Sequence, residues 1–380
     1  MINKARLIRL TRQLIRINSE NPPGDERAVA AFVAGELRKA GYAANVFRYV
    51  SRRDNVSALF KGKKGHYVCL LSPHLDTVPA GKGWSKDPFS GKVLGGKIYG
   101  RGATDDKGNL AVALEVMRSL KEDQADVQGH WLFLATADEE TGSARGLRPW
   151  LDQNAHKADF AVILDSDEGH IITSQKGLIH FKVHVPGRKA HGAYPERGIN
   201  AIDRAMVLAD VLKKIRFPYK PHALLKPPTV NIGTIRGGDK VNMVADWCDF
   251  EADLRFVPGM TAKKILSQIT AAFRKTRIPF RIQVADIQDP YEISSKHPLV
   301  SCLFNSGRKA GFSSRIKGSE GATVITFFKK KGIPAVATGW GSRGCAHATD
   351  EYVSVDDLYR GARQLENFIR LFDERMSTLR

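Results

Sequence analysis

The chain lacks what would mark it as disulfide-stapled, membrane-spanning or disordered. Its four cysteines, Cys69, Cys248, Cys302 and Cys345, are scattered through 380 residues without a C-x-x-C pair, so no disulfide framework is expected. Long apolar runs are missing too. In Met1 to Ser19 the residues Arg6, Arg9, Arg12 and Arg16 interrupt the leucines and isoleucines, so neither a secretory signal nor a membrane span is expected in this stretch. Leu7, Leu10 and Leu14 give that stretch the spacing of a helix packed on a domain, and a cytoplasmic protein is expected rather than one led by a transit peptide. Low-complexity tracts and short repeats are absent. Acidic residues are few, 40 against 59 basic, for a net charge of +19. A positive surface of that size can draw in carboxylated substrates. The clusters Lys61-Gly-Lys-Lys and Lys329-Lys-Lys are short and lack interleaved aromatics, so nucleic acid is not an expected partner.

What is present has ordinary globular proportions, 42% hydrophobic and 26% charged, and the length suits two domains at roughly 100–200 residues each. Up to residue 176, short continuous apolar runs (Tyr67 to Leu71, Trp131 to Ala137, Phe160 to Leu164) alternate with helical spacing, as at Leu110, Ala113, Leu114 and Met117. That texture predicts an α/β domain whose sheet is covered on both faces. From Leu178 the period becomes two, with Ile179, Phe181, Val183 and Val185 apolar and Lys182 and His184 facing the other way. A helix through Ala205, Leu208 and Leu212, a strand near Thr229 to Ile235, a strand from Cys248 to Phe256, a helix through Ile265, Ile269 and Phe273, and a strand from Phe280 to Val284 complete the order βαββαβ. This predicts a ferredoxin-like insertion over residues 177–287 in a discontinuous first domain, 1–176 plus 288–380.

Each buried strand of the first domain is followed by an unusual polar residue: His74, then Asp138-Glu139-Glu140, then Asp165. In open α/β sheets such strand ends converge on one crevice. Imidazole and carboxylate without cysteine suits zinc or another divalent metal. Asp105 and Asp106 lie in Gly100-Arg-Gly-Ala-Thr-Asp-Asp-Lys-Gly108, just before a helix, where an Asp can also serve as N-cap and a glycine turn as a phosphate loop. The turn lacks the third glycine of a dinucleotide fingerprint and the G-K-S/T of a P-loop.

His74-Leu-Asp76-Thr-Val-Pro, GRGATDDKG, DEETGS, HGAYP at His191 and Cys-Ala-His347, in this order along nearly the whole chain, resemble the co-catalytic zinc peptidase and deacylase family of acetylornithine deacetylase, succinyl-diaminopimelate desuccinylase and glutamate carboxypeptidase. The resemblance implies a zinc-peptidase-like α/β/α catalytic domain with an inserted lid and dimerisation domain. It implies two zinc ions, replaceable by cobalt or manganese: one held by His74, Asp105 and Asp165, the other by Asp105, Glu140 and His347, with Asp105 bridging. Asp76 would accept the other N–H of His74, and Glu139 would be the general base. His191 would reach a dimer partner's site and stabilise the oxyanion, while Asn242 and Arg255 would contact the substrate carboxylate. Arg255 shares its strand face with Asp249, Glu251 and Asp253, so an ion pair is an equal reading.

Two departures bear on substrate. Relatives that act as deacylases or carboxypeptidases often carry Glu where Asp165 stands, and dipeptidases and aminopeptidases carry Asp; Asp167 is an alternative ligand. In Gly318-Ser-Glu320-Gly-Ala-Thr, Glu320 adds a negative charge that would hold a substrate ammonium or cap a helix. The expectation is a homodimeric hydrolase of N-acyl amino acids. A dipeptidase or carboxypeptidase is the alternative, and a non-catalytic metal-binding or nucleic-acid-binding protein the remote one.

Overall fold

The computed structural model describes residues 1–165 and 168–378. The chain divides into two compact units, one of Met1–Thr173, Ile293–Lys317 and Phe327–Arg380, the other of Ser174–Glu292 and Gly318–Thr326.

In the first unit the strand Val68–Ser72 lies parallel between His130–Ala135 and Phe160–Leu164, and Ala335–Thr338 continues the parallel set beside Phe160–Leu164. Asp54–Phe60 and Asn45–Arg48 add antiparallel strands at one edge, and the start of Ile171–Gln175 pairs antiparallel at the other. The apolar runs are continuous because both strand faces are buried. Cys69, Leu71, Trp131, Phe133 and Val162 join one core cluster, while Leu70, Leu134 and Ala161 on the opposite face are also fully buried. That core is closed by the helices Lys4–Ile15, Arg27–Lys39, Lys107–Glu122, Pro298–Lys309 and Val355–Thr378. The expected amphipathic helix near the N-terminus is the first of these, with Leu7, Leu10 and Leu14 buried.

The last helix is anchored by rings. Phe372 meets Tyr67 edge-on at 5.5 Å and Phe160 at 5.3 Å, and the Tyr67 hydroxyl donates to Asp373 at 2.8 Å. Strands Asn45–Arg48 and Lys92–Leu94 and the three-residue strands Lys97–Tyr99 and Tyr352–Ser354 were not legible in the sequence; they are short, and Lys92–Leu94 is exposed throughout, so no apolar alternation marks them. The four cysteines are buried and free, and no helix among the described residues is long and apolar enough to cross a membrane.

The second unit has the chain order βαββαβ: Gly177–Pro186, Ala201–Lys214, Thr229–Gly237, Trp247–Phe256, Ala262–Lys275, Arg281–Gln288. Its antiparallel sheet places Gly177–Pro186 between Trp247–Phe256 and Arg281–Gln288, with Thr229–Gly237 at the edge beyond Trp247–Phe256. This is the split-βαβ arrangement of a ferredoxin-like fold. Ile179, Phe181, Val183 and Val185 pack with Leu208, Leu212, Ile265 and Phe273, while Lys182 and His184 lie on the opposite, wetter face. Asn200 starts the first helix by accepting from the Ile202 amide at 2.9 Å. Residues 318–326 cluster with this unit rather than with the flanking ranges, because the Lys176 amide donates to Ser319 O at 3.1 Å and Gln175 accepts from Thr323 at 2.7 Å.

The aromatic anchor predicts a stability cost. Phe372→Ala should destabilise the protein by about 3–5 kcal/mol, read as a lower midpoint in urea unfolding; an unchanged midpoint would mean the closing helix does not depend on those ring contacts.

Candidate metal centre

The site is carried by the connection from Val68–Ser72 to the helix Lys107–Glu122, which holds both His74 and Asp105, and by the loops after His130–Ala135, Phe160–Leu164 and Ala335–Thr338. His74 follows Val68–Ser72 and keeps a parallel bridge to Thr136 at the end of the next strand, so the sheet itself sets its backbone. Its amide donates to Asp106 Oδ2 at 3.0 Å. Asp105 sits on the glycine-rich turn before the helix Lys107–Glu122, joined to Asp106 by a cis peptide bond. The N-cap alternative for this turn is not realised: Asp106 makes no capping bond with its side chain, whose other oxygen accepts from Asn109 Nδ2 at 2.6 Å. Glu139 and Glu140 start a 3-10 turn after Asp138, whose φ of 70° turns the chain sharply at the strand end. His347, with φ 62°, lies in a loop between the strands Ala335–Thr338 and Tyr352–Ser354.

These loops bring His74, Asp105 and Glu140 together, one ligand atom of each lying within 4.8 Å of the others. Asp105 is central. Its Oδ1 is 3.0 Å from His74 Nε2 and its Oδ2 is 3.3 Å from His347 Nε2, which also lies 3.2 Å from Glu140 Oε2. The Asp165 carboxylate is near enough to push up the pKa of Asp106 and Glu139, and its backbone oxygen accepts from Asn109 Nδ2 at 2.9 Å. Asp167, the alternative ligand, lies outside the described residues.

Asp76 lies beside His74 and also holds the acidic turn. The nearest acceptor to His74 Nδ1 is the backbone oxygen of Asp76 at 3.0 Å, with the carboxylate at 3.6 Å. The carboxylate also accepts from the amides of Glu139 at 3.0 Å and Glu140 at 3.2 Å and from Asn21 Nδ2 at 2.8 Å. It therefore orients the acidic turn as much as the imidazole. Behind it, Arg53 bridges Glu26 at 2.7 Å and Asp138 at 3.0 Å, all three buried. Burial, then the charge of Asp76, pushes Glu26 up to about 8.

The electrostatics reflect crowded carboxylates. Burial raises Asp106 and Glu139 well above the carboxylate range, with Asp165 and Asp105 adding to both. Burial acts the same way on Asp105, but His347 and His74 outweigh it and hold that carboxyl low. Burial disfavours a charged His74, yet Asp106, Asp105 and Asp76 raise it well above its ordinary value. Hydrogen bonds to Asp105 and Glu140 lift His347 to about 10. A divalent cation fits this donor set, which has imidazole and carboxylate but no sulfur and a surplus of negative charge for a cation to offset.

The expected substrate residues lie in the second unit. His191 is exposed and its backbone bridges to Met243, while the Gly192 amide donates to Asn242 O at 2.8 Å, so His191 and Asn242 share one short ladder. Gly192 is required there, since a Cβ would come within 2.9 Å of the Asn242 backbone. Arg255 forks onto Asp253 at 2.7 and 2.9 Å, the ion-pair reading, although along the strand rather than across it. Glu320 is corrected in the same sense. Its Oε2 is 2.6 Å from the buried Lys176 Nζ and its Oε1 accepts from the Lys226 amide at 2.8 Å, so the protein's own cation occupies this carboxylate and it caps no helix.

Sequence reasoning missed Asn21, Arg53, Arg101 and Glu351. None stands at the end of a buried strand, and the local signals were the place of Arg101 in the glycine-rich turn and that of Glu351, an acid four residues after His347.

A family model described as Peptidase family M20/M25/M40 matches residues 70–371. Acetylornithine deacetylase of Photorhabdus laumondii is 31% identical over 85% of this chain and 84% of its own length. Among solved structures, aminopeptidase PepT of Bacillus cereus superposes with a TM-score of 0.81 at 23% identity over 98% of this chain and 99% of that one. A dinuclear metal-binding peptidase of Bacillus subtilis superposes at 0.75 and 14% identity over 96% and 97%.

The raised His347 carries a pH signature in the metal-free protein. Its imidazolium contributes stability fully below about 6.5, and the contribution is lost as pH climbs through about 10. Lys107, which burial lowers to about 7, acts with the opposite sign over that range, so a difference measurement is needed. In chelator, the melting-temperature gap between wild type and His347→Asn should be widest near pH 6 and close toward pH 10, roughly the window of the shift. A gap independent of pH would contradict the assigned contacts.

Proposed function

The chain belongs to peptidase family M20/M25/M40, and from that premise we propose that it is a two-zinc hydrolase of the amide bond in N-acyl amino acids, with Glu139 as general base. The family and its deacetylase relatives make it a metal-dependent hydrolase acting on amide or peptide bonds. The observation that carries the two-metal reading is the Asp105 carboxylate, whose two oxygens face His74 and His347 separately. One cation would take His74, Asp105 and Asp165, the other Asp105, Glu140 and His347. Cobalt or manganese would fit the same donors.

Held there, zinc supplies Lewis acidity that lowers the pKa of a water and polarises the amide carbonyl. Glu139 takes the water proton as the water oxygen bonds to the carbonyl carbon, and passes it to the nitrogen as the C–N bond breaks, leaving a carboxylic acid and an amine. Its raised pKa in the metal-free chain, caused by burial and by Asp165, Glu140 and Asp105, supports a group that both holds and releases a proton. Asp76 keeps Glu139 and Glu140 on one rigid turn through their amides. The second unit would act as lid, with Asn242 contacting the substrate. Arg255 is engaged by Asp253 and enters only if that pair opens. The net charge of +19 favours a carboxylated substrate.

Acetylornithine-type substrates are the first choice, from the deacetylase relatives. A dipeptidase or carboxypeptidase is the second reading, favoured by Asp165 in place of Glu. A homodimer through the second unit belongs to the proposal. Its edge strand Thr229–Gly237 is largely exposed, and Ile235 at 51% with Met206 at 53% leave apolar surface beside it. His191 would then donate to the oxyanion in the partner's site. A cytoplasmic location completes the reading.

Glu139→Gln should retain both metal equivalents and lose about 10²–10⁴-fold in kcat on whichever of acetylornithine, succinyl-diaminopimelate, acyl-glutamates or dipeptides the wild type cleaves; full turnover by the variant would refute the base assignment. In sedimentation the active species should be a dimer, and His191→Ala should lower kcat without changing that mass. A fully active monomer would remove the partner role.

A further inference from the structure

Glu351 is fully buried, and its carboxylate collects donors from the turn that carries Asp105. Oε1 accepts from the amides of Thr104 at 2.8 Å and Asp105 at 3.1 Å; Oε2 accepts from the Gly102 amide at 3.0 Å and Arg101 Nη1 at 2.6 Å. Three backbone N–H groups converging on one anion form a nest, and the guanidinium makes the fourth bond charge-assisted. The backbone oxygen of Glu351 accepts from the Gly100 amide at 2.8 Å, and Thr104 Oγ1 donates to Tyr352 O at 2.7 Å, so the two segments are held along their length.

We propose that Glu351 is a positioning residue that sets the separation of Asp105 and His347, and through it the affinity of the second metal. The contacts close a ring. Arg101 Nη2 donates to His347 O at 3.4 Å, Arg101 Nη1 donates to Glu351, Glu351 accepts from the Asp105 amide, and Asp105 Oδ2 returns to His347 Nε2 at 3.3 Å. His347 needs such a tether: it lies outside regular structure with φ 62°, and its side chain is 54% exposed, so packing leaves its position open. Asp105 lies on a turn, and the amide Glu351 holds is its own. His74, by contrast, has its backbone set by the sheet through the bridge to Thr136, a contact in which Glu351 takes no part. The loss of Glu351 should therefore fall on the equivalent bound by His347 more than on the one bound by His74.

The inference rests on the two-metal reading, and titration of metal-free protein with Co2+, followed by calorimetry and visible absorption, separates the two. Wild type taking up fewer than two equivalents would overturn the reading itself. Given two, Glu351→Gln keeps the volume but turns an N–H donor toward backbone N–H groups. It should weaken the second equivalent about 10- to 100-fold, alter its cobalt absorption, and lower kcat with KM little changed. Glu351→Asp, which restores the charge, should recover part of that affinity. Wild-type affinity for both equivalents in Glu351→Gln would overturn the inference. Hydrogen exchange of the metal-free wild type decides it without a variant: the amides of Gly102, Thr104 and Asp105 should be protected before any metal is added, and free exchange there would overturn the tether.

Discussion

The site depends on one shared carboxylate. Asp105 has two oxygens facing two different imidazoles, and Asp106 and Glu351 hold the turn that carries it. In the proposed two-metal centre the cations would repel each other, and a shared Asp105 carboxylate would offset that repulsion only if its position were held firmly. A turn before a helix does not supply such rigidity alone. Here it comes from Asp106, which ties the turn to the His74 amide and to Asn109, and from Glu351, which ties it to the segment after His347.

The same device recurs behind the other ligands. Buried carboxylates in this chain mostly accept backbone N–H groups: Asp76 from Glu139 and Glu140, Asp138 from Arg145, Glu351 from three residues of one turn. An ion in a dry interior is costly unless paired, so each such group makes the loop it holds expensive to deform. Arg53 and Arg101 balance part of the charge, Arg53 between Glu26 and Asp138, and Arg101 on Glu351. The parallel sheet brings the loops to one end, and this layer of buried ions gives them a fixed shape.

The second unit follows a different logic. Its sheet has one apolar face on two helices and one polar face where His184, Lys182, Asp249, Asp253 and Arg255 pair among themselves. Arg255 and Glu320 both looked available for a substrate, and both are engaged by neighbours of opposite charge. What stays exposed is the short ladder of His191 and Asn242, held by Gly192, where backbone contact rather than ion pairing fixes the geometry.

The amino-acid order alone determined the two textures and the donor types. Continuous apolar runs imply a sheet covered twice, alternation implies one covered once, and His74, Asp138 to Glu140 and Asp165 at strand ends imply a common crevice, because these are consequences of local periodicity. The edge strand Asn45–Arg48 and the hairpin beginning at Lys92 were invisible, since short exposed strands carry no period. Only the tertiary structure decided partners. Asp76 turned out to hold the acidic turn, Glu320 to neutralise Lys176, and Glu351 to collect three amides from residues about 250 positions earlier. A hydrogen bond across that separation leaves no trace in spacing, because either end reads locally as an ordinary turn acid, and its meaning appears only when folding brings the donors to it.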